Sequence, residues 1–252
     1  MLPEISAVII TYNEEKNIGR CLASLQGVAD EIVVVDSYST DRTKEICLRY
    51  DNVNFVATNW EGYSATKNYG NSIAKHTWII SLDSDEELSE ELKRNIKSVR
   101  LDEENAYEFN RLTNYCGKWV KHCGWYPDIK VRLFNKTNTY WEGVVHEKLI
   151  YKKPISSKLI PGELNHYSYY TEQEHLDRLK KYAQLSAEEK FKAKTGSKNY
   201  KIILSPIVKF ISVFIFKLGF LDGITGFKIA RNEAKYNYWK YSTLKKLYET
   251  NA

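Results

Sequence analysis

Only four cysteines, Cys21, Cys47, Cys116 and Cys123, are spread over 252 residues, too few for a disulfide framework in a chain this long. Cys116, His122 and Cys123 lie close together, but no second Cys/His pair completes a zinc pattern. The chain opens Met1-Leu2-Pro3-Glu4 and enters an apolar strand at once, so no signal peptide is visible. Few cysteines and no leader make a reducing, cytoplasmic compartment the expectation. Gly-x-Gly-x-x-Gly is missing, which removes the dinucleotide fingerprint, and so is Gly-x-x-x-x-Gly-Lys-Ser/Thr, which removes the P-loop. There is no internal repeat and no low-complexity tract. The formal charge is +5, yet no recognised nucleic-acid-binding motif accompanies it, and nucleic acid is not an expected partner.

What is present is a globular composition, 43% hydrophobic and 27% charged. The 19 Tyr and 6 Trp suit stacking on bases or sugars, or the edges of a core. Apolar runs at 5–11, 31–36, 53–57 and 78–82 read as strands, and the segments from 13 or 14, at 41–49 and at 64–74 read as helices between them. Such alternation predicts an α/β fold, a parallel sheet with helices on both faces. After about Arg100 the rhythm becomes mixed, with short strands at 107–112, 129–134 and 145–151. From Thr171 onward the chain reads as helical, which divides it into 1–170 and a C-terminal helical appendage, 171–252.

The chain is organised around Ile79 to Glu87, where an apolar strand delivers the acids Asp83, Asp85, Glu86 and Glu87, with a helix expected from near Glu87. Open α/β sheets bind ligands at the carboxyl ends of their strands. Asp-x-Asp there can share a hard cation, Mg²⁺ or Mn²⁺, whose shell substrate phosphates and water complete. The alternative is that these acids only cap the helix that follows. Two further tips converge on the same face, Thr11-Tyr12-Asn13-Glu14 and Asp36-Ser37-Tyr38-Ser39. Few glycines and several carboxylates suit a nucleotide-sugar. Asp36 would accept from ribose or base, or else cap the next helix. Tyr12 would stack, Ser84 lies between the two aspartates, and Lys67 would add positive charge.

These residues carry a resemblance. Val8-Ile9-Ile10-Thr11-Tyr12-Asn13-Glu14-Glu15, Val33-Val34-Val35-Asp36-Ser37, and Leu82-Asp83-Ser84-Asp85-Glu86 resemble glycosyltransferase family 2, of the GT-A fold. Trp60-Glu61-Gly62-Tyr63 with Lys67-Asn68, Trp125-Tyr126-Pro127-Asp128 with Arg132-Leu133-Phe134, Val145-His146-Glu147, and His166-Tyr167-Ser168-Tyr169 resemble the branch that adds glucose to the inner-core heptose of lipopolysaccharide. Tyr38, Ser64 and Thr66 stand where that branch has Gly, Gly and Gln, beside the expected nucleotide pocket.

The resemblance implies an inverting, metal-dependent hexosyltransferase using a UDP-sugar, UDP-glucose first. A metal at Asp83 and Asp85, with His146 as a third ligand or a plain loop histidine, would neutralise the departing diphosphate. Asp128 is the expected base and Glu147 its rival. Arg132 would hold diphosphate or form a structural salt bridge. Trp125 and Tyr126 would form a sugar platform for a lipid-linked oligosaccharide, or pack as core aromatics. Alternatives are the same chemistry on a polyprenyl phosphate or another surface glycan, and a catalytically silent nucleotide-sugar-binding module.

At the far end, Ser205-Pro206 reads as a helix start and Gly219 as its stop. Ile207, Phe210, Ile211, Phe214 and Leu218 recur on one face, and two lysines and the proline argue against a membrane span. Residues 198–248 hold ten Lys or Arg against Asp222 and Glu233. This pattern predicts an interfacial anchor on an anionic membrane surface, peripheral on the inner membrane, or a helix packed on its own domain or on a second subunit.

Overall fold

The run Ile5 to Thr11 has no polar gap wide enough to face water, and in the computed structural model, which describes residues 3–143, 147–196 and 198–250, every residue of that strand is buried. The chain divides into two units, one holding the chain up to Arg111 and from Asp128 to Tyr167, the other Leu112–Pro127 and the chain from Ser168. The division expected at 170 therefore takes no account of 112–127, which join the C-terminal unit.

The first unit begins β1 (Ile5–Thr11), α1 (Ile18–Leu25), β2 (Glu31–Asp36), α2 (Thr43–Cys47), β3 (Val53–Ala57), α3 (Tyr63–Ile73) and β4 (Trp78–Asp83). β1 pairs in parallel with β2 and β4, and β2 with β3. Ala7, Ile9, Ile32, Val34 and Ile80 face α1, whose Ile18, Cys21, Leu22 and Leu25 complete one core. Val8, Ile10, Val33, Val35 and Ile79 build a second core on the opposite face. Burial on both faces is why these strands read as unbroken apolar runs. Helix α3 lies so close to the sheet that a Cβ on Gly70 would stand 2.5 Å from Val8 Cγ1.

Beyond the acidic turn the structure departs from expectation. Glu86–Leu88 is a short strand, β5, and helix α4 (Glu90–Ser98) starts only after Ser89, whose Oγ accepts from Leu92 N at 3.2 Å. Glu86 and Leu88 alternate inward while the backbone pairs with β11 (Ser156–Tyr169), so ladder hydrogen bonds override the acids' preference for a first helical turn. Between them come β6 (Asn105–Tyr115), β7 (Lys118–Val120), β8 (Ile129–Asn135), β9 (Thr139–Glu142) and β10 (Lys148–Tyr151). The main sheet runs β3-β2-β1-β4-β8-β6-β11-β5, with β7 on β6, while β9 and β10 pair separately. β8 joins β4 antiparallel and makes the sheet mixed.

In the second unit α5 (Glu172–Lys192) is opened by a capping box between Thr171 and Glu174, followed by α6 (Tyr200–Ile211) and α7 (Gly223–Thr250). Ser205-Pro206 does not start a helix: α6 begins at Tyr200 and carries Pro206 inside it. A π-helical turn, Ser212–Phe216, follows, and left-handed Leu218 (φ 54°) ends the run beside Gly219. The single apolar face expected from 207 to 218 is divided. Phe210 and Phe214 stack with ring centroids 5.5 Å apart and turn inward with Val213, whereas Ile207, Ile211 and Leu218 are exposed.

Candidate active site

Strand register brings the three tips level. Thr11 stands opposite Asp36, and Ile10 opposite Asp83, so the ends of β1, β2 and β4 meet at one edge of the sheet. The loops after β1 and β2 are stitched together: Asn13 N donates to Ser39 Oγ (2.7 Å), Thr40 N to Asn13 Oδ1 (2.8 Å), and Glu14 N to Thr43 Oγ1 (2.8 Å). Asn13 and Tyr38 take positive φ (53° and 57°), which turns each loop sharply out of its strand. Asp36 is 2% exposed and accepts from Ser39 N (2.8 Å) and Ser39 Oγ, so it braces its own turn. Glu14 accepts from Asn17 Nδ2 at 2.7 Å. Beside them Thr11 Oγ1 and Ser37 Oγ are buried without a hydrogen-bond partner among the described residues, and Tyr12 and Tyr38 stand exposed. Unused hydroxyls and exposed aromatic rings on the same two loops are groups that a flat polar ligand would engage.

From the acidic turn a chain of ion pairs crosses the unit. Glu147 Oε1 lies 3.0 Å from Lys67 Nζ, which is 3.2 Å from Asp83 Oδ1. Asp83 Oδ2 receives Arg132 at 2.8 Å, and the same guanidinium donates to Glu86 at 2.6 Å. Arg111 lies 3.4 Å from Glu86 and 2.7 Å from Asp128, whose other oxygen meets Lys130 at 3.0 Å. Four carboxylates thus balance four cations. Burial works to raise the Asp83 pKa, but Arg132, Lys67, Arg111 and His166 together hold it well below the usual carboxylate range. Arg132, itself buried, is held charged by Asp83 and Glu86, and its Nε has no partner among the described residues. Asp128 is lowered as well, because Arg111 and Lys130 outweigh its burial.

Asp85 is placed differently. Its Oδ2 is 3.2 Å from His166 Nε2, and its carbonyl accepts from Tyr167 N at 2.9 Å. The β5–β11 pairing sets His166 opposite Glu86 and so brings the imidazole to the turn. A carboxylate beside an imidazole is a donor pair that suits Mn²⁺ better than Mg²⁺, which takes oxygen ligands, while both oxygens of Asp83 already meet cations. Among the described residues no group of three or more His, Cys, Asp or Glu stands where it could hold a metal ion. Asp85 and His166 are two donors only, and a cation there would need phosphate and water oxygens to complete its shell. His146 lies outside the described residues.

Thr11, Asp36, Lys67, Asp83, Glu86, Asp128, Arg132 and Glu147 all fall in the first unit, as do Tyr12, Glu14, Ser84 and Asp85. Trp125 and Tyr126 fall in the second. There Trp125 packs against Tyr115 (5.8 Å), Tyr169 (5.9 Å) and His175 (5.6 Å), in an aromatic cluster. Sequence reasoning missed the roles of His166, Arg111 and Glu86. His166 belongs to a noted motif, His166-Tyr167-Ser168-Tyr169, but only the pairing of β11 with β5 aims it at Asp85. Nothing in the linear order marks Arg111 as the bridge between Glu86 and Asp128.

The sequence pattern described as glycosyl transferase family 2 matches residues 6–142. An uncharacterized glycosyltransferase of Rickettsia bellii is 30% identical over 89% of this chain and 80% of its own length. The lipopolysaccharide core biosynthesis glycosyltransferase LpsC of Rhizobium meliloti is 26% identical over 100% of this chain and 95% of its own. Among solved structures, S. aureus TarS in complex with UDP-GlcNAc superposes with a TM-score of 0.47 at 17% identity, covering 98% of this chain and 92% of that one.

Proposed function

We propose a reaction on one premise, that this chain belongs to glycosyl transferase family 2 and has its α/β GT-A fold. It moves a hexose, glucose from UDP-glucose first, to a heptose of a lipopolysaccharide core, with inversion at the anomeric carbon and on the cytoplasmic side of the inner membrane. The likeness to LpsC along the whole chain supports the acceptor class. The observation that carries the site is the register of β1, β2 and β4, which sets Thr11, Asp36 and Asp83 at one edge, with Asp85 in the turn that follows.

In this reading Tyr12 and the unused hydroxyls of Thr11 and Ser37 receive the uridine, while Asp36 and Glu14 hold their loops in place. Lys67 and Arg132 are already neutralised by carboxylates, so they bring no surplus charge to a diphosphate. Asp85 and His166, beside Asp83, would hold a divalent cation, which when bound would supply that charge as a Lewis acid. Ser84 lies between the two aspartates in the same turn and is a candidate for the same phosphates. Asp128, kept ionised by Arg111 and Lys130, takes the acceptor's hydroxyl proton as the hydroxyl attacks, and Glu147 on Lys67 is the second candidate for that role. Trp125 and Tyr126, in the second unit, are the candidates for an acceptor-binding sugar platform.

The test is UDP release from a panel of UDP-hexoses with deacylated core oligosaccharide, with Mn²⁺, with Mg²⁺ and in EDTA. Turnover confined to a core acceptor and lost in EDTA is expected. No turnover of any donor, or equal turnover in EDTA, overturns the reading.

A further inference from the structure

We propose that the bend between α6 and α7 is a membrane-docking knuckle that inserts apolar side chains among the acyl chains of an anionic bilayer. No residue of α6 is buried. Ile203 and Ile207 look outward along it, Phe216 is 79% exposed at the end of the π-helical turn, and Leu221 and Ile224 (71%) continue the apolar surface around the bend. These side chains are surplus to the unit's own core. The inward positions are filled by Val213 and by Phe210 and Phe214, which also meet Phe227 edge-on at 5.7 and 6.0 Å. An exposed apolar run of this kind marks a partner surface.

Charge selects the partner. Of the two acids between 198 and 248, Asp222 accepts from His122 N and lies 2.9 Å from its ring, with a side chain only 10% exposed, and Glu233 pairs with Lys209 (3.1 Å), both within the same unit. Lys217 stays exposed at the tip, between Phe216 and Leu218. The outward surface is therefore apolar and cationic, the complement of acyl chains beneath anionic headgroups. A second copy docked through the same patch would bring two cationic surfaces together, which opposes self-association. Among the described residues no single helix is long and apolar enough to cross a membrane; Tyr200–Phe216 and Gly219–Thr250 reach that length and composition only together, as a pair bent by 72° at the knuckle. The proposal does not depend on which sugar is transferred, and its failure would leave that reading untouched.

The experiment is co-sedimentation of the full chain with vesicles of phosphatidylcholine, with and without phosphatidylglycerol. Partition onto the phosphatidylglycerol vesicles, weakening as salt rises, is expected. Phe216→Glu with Ile224→Glu should cut it by at least about tenfold, with an unchanged circular-dichroism melt because both side chains are exposed. Lys217→Ala should weaken binding to the anionic vesicles only. Leu48→Glu, at an exposed apolar site of the other unit, should bind as the parent does. Three results would overturn the proposal: no partition onto anionic vesicles, equal partition by the double variant, or a dimer in sedimentation velocity that the double variant dissolves while vesicles capture nothing.

Discussion

The ammonium of Lys67 stands 3.2 Å from the Asp83 carboxylate, on a side chain only 1% exposed. A lysine that deep is stable only because it is paired, here on both sides, since Glu147 lies 3.0 Å away. The acidic turn is thus held from behind by a buried cation, and neighbouring Trp141 presents its ring to the same nitrogen at 4.9 Å.

Lys67→Met should remove that support and leave two carboxylates competing for Arg132 and water. The loss of a charged hydrogen-bond partner predicts a fall of about 1–3 kcal/mol in unfolding free energy, read from the urea midpoint. UDP affinity should fall with it. An unchanged midpoint would show that solvent replaces the ammonium freely.

Asp85 and His166 should govern the cation, and Asp83 the architecture of the turn. Asp85→Ala is expected to lower transfer by about 10²–10³-fold and to weaken Mn²⁺-dependent UDP binding in calorimetry. His166→Ala should raise the Mn²⁺ concentration needed for half-activation. If Asp85→Ala binds Mn²⁺ and UDP as the parent does, the cation sits elsewhere.

As the proposed base, Asp128 has a pH signature. Asp128 is lowered by Arg111 and Lys130 against its own burial, so it stays ionised above the ordinary aspartate value of about 4 and loses its charge only below that. The acid limb of kcat/KM should therefore lie below about pH 4, and Arg111→Gln should move it upward. Asp128→Asn should cost about 10²–10⁴-fold while UDP binding is kept. If Glu147→Gln gives that loss and Asp128→Asn does not, the roles are reversed. The same depression gives Asp128 a stabilising contribution that is present above its unfolded pKa and lost as pH falls through the folded one.

In the second unit, burial, aided by Arg178, holds the His175 pKa down to about 4, and its Nδ1 faces Tyr115 Oη at 3.2 Å. The unfolded chain takes up this proton near the ordinary value of about 6.5. Stability is then complete above that pH and declines as pH falls from there toward 4, by an amount on the order of 2–3 kcal/mol. His175→Gln should flatten the slope of stability between those limits in urea titrations at stepped pH. A slope equal to the parent's would assign it to other groups.

Much of the first unit was legible because β1, β2 and β4 are buried on both faces. A strand so placed has no solvent side to disguise its apolar run, and each ends in the polar residues that form the site. The path after Asp85 was not legible, since Glu86-Glu87-Leu88 has the composition of a first helical turn, and only the distant segment 164–166 makes it a strand. The apolar stretch 202–221 was visible as a stretch, but its two faces were not, because which phenylalanines turn inward depends on where Phe227 of α7 lies.

Periodicity and turn chemistry act between neighbours a few residues apart, so the order of strands and helices and the acids at the strand tips could be read from the chain itself. Which charge meets which is settled across 25 to 80 residues, as Arg111 meets Glu86 and Lys67 meets Glu147. Those pairings follow from burial, where a lone charge is costly enough that only partners delivered by the fold allow it to remain.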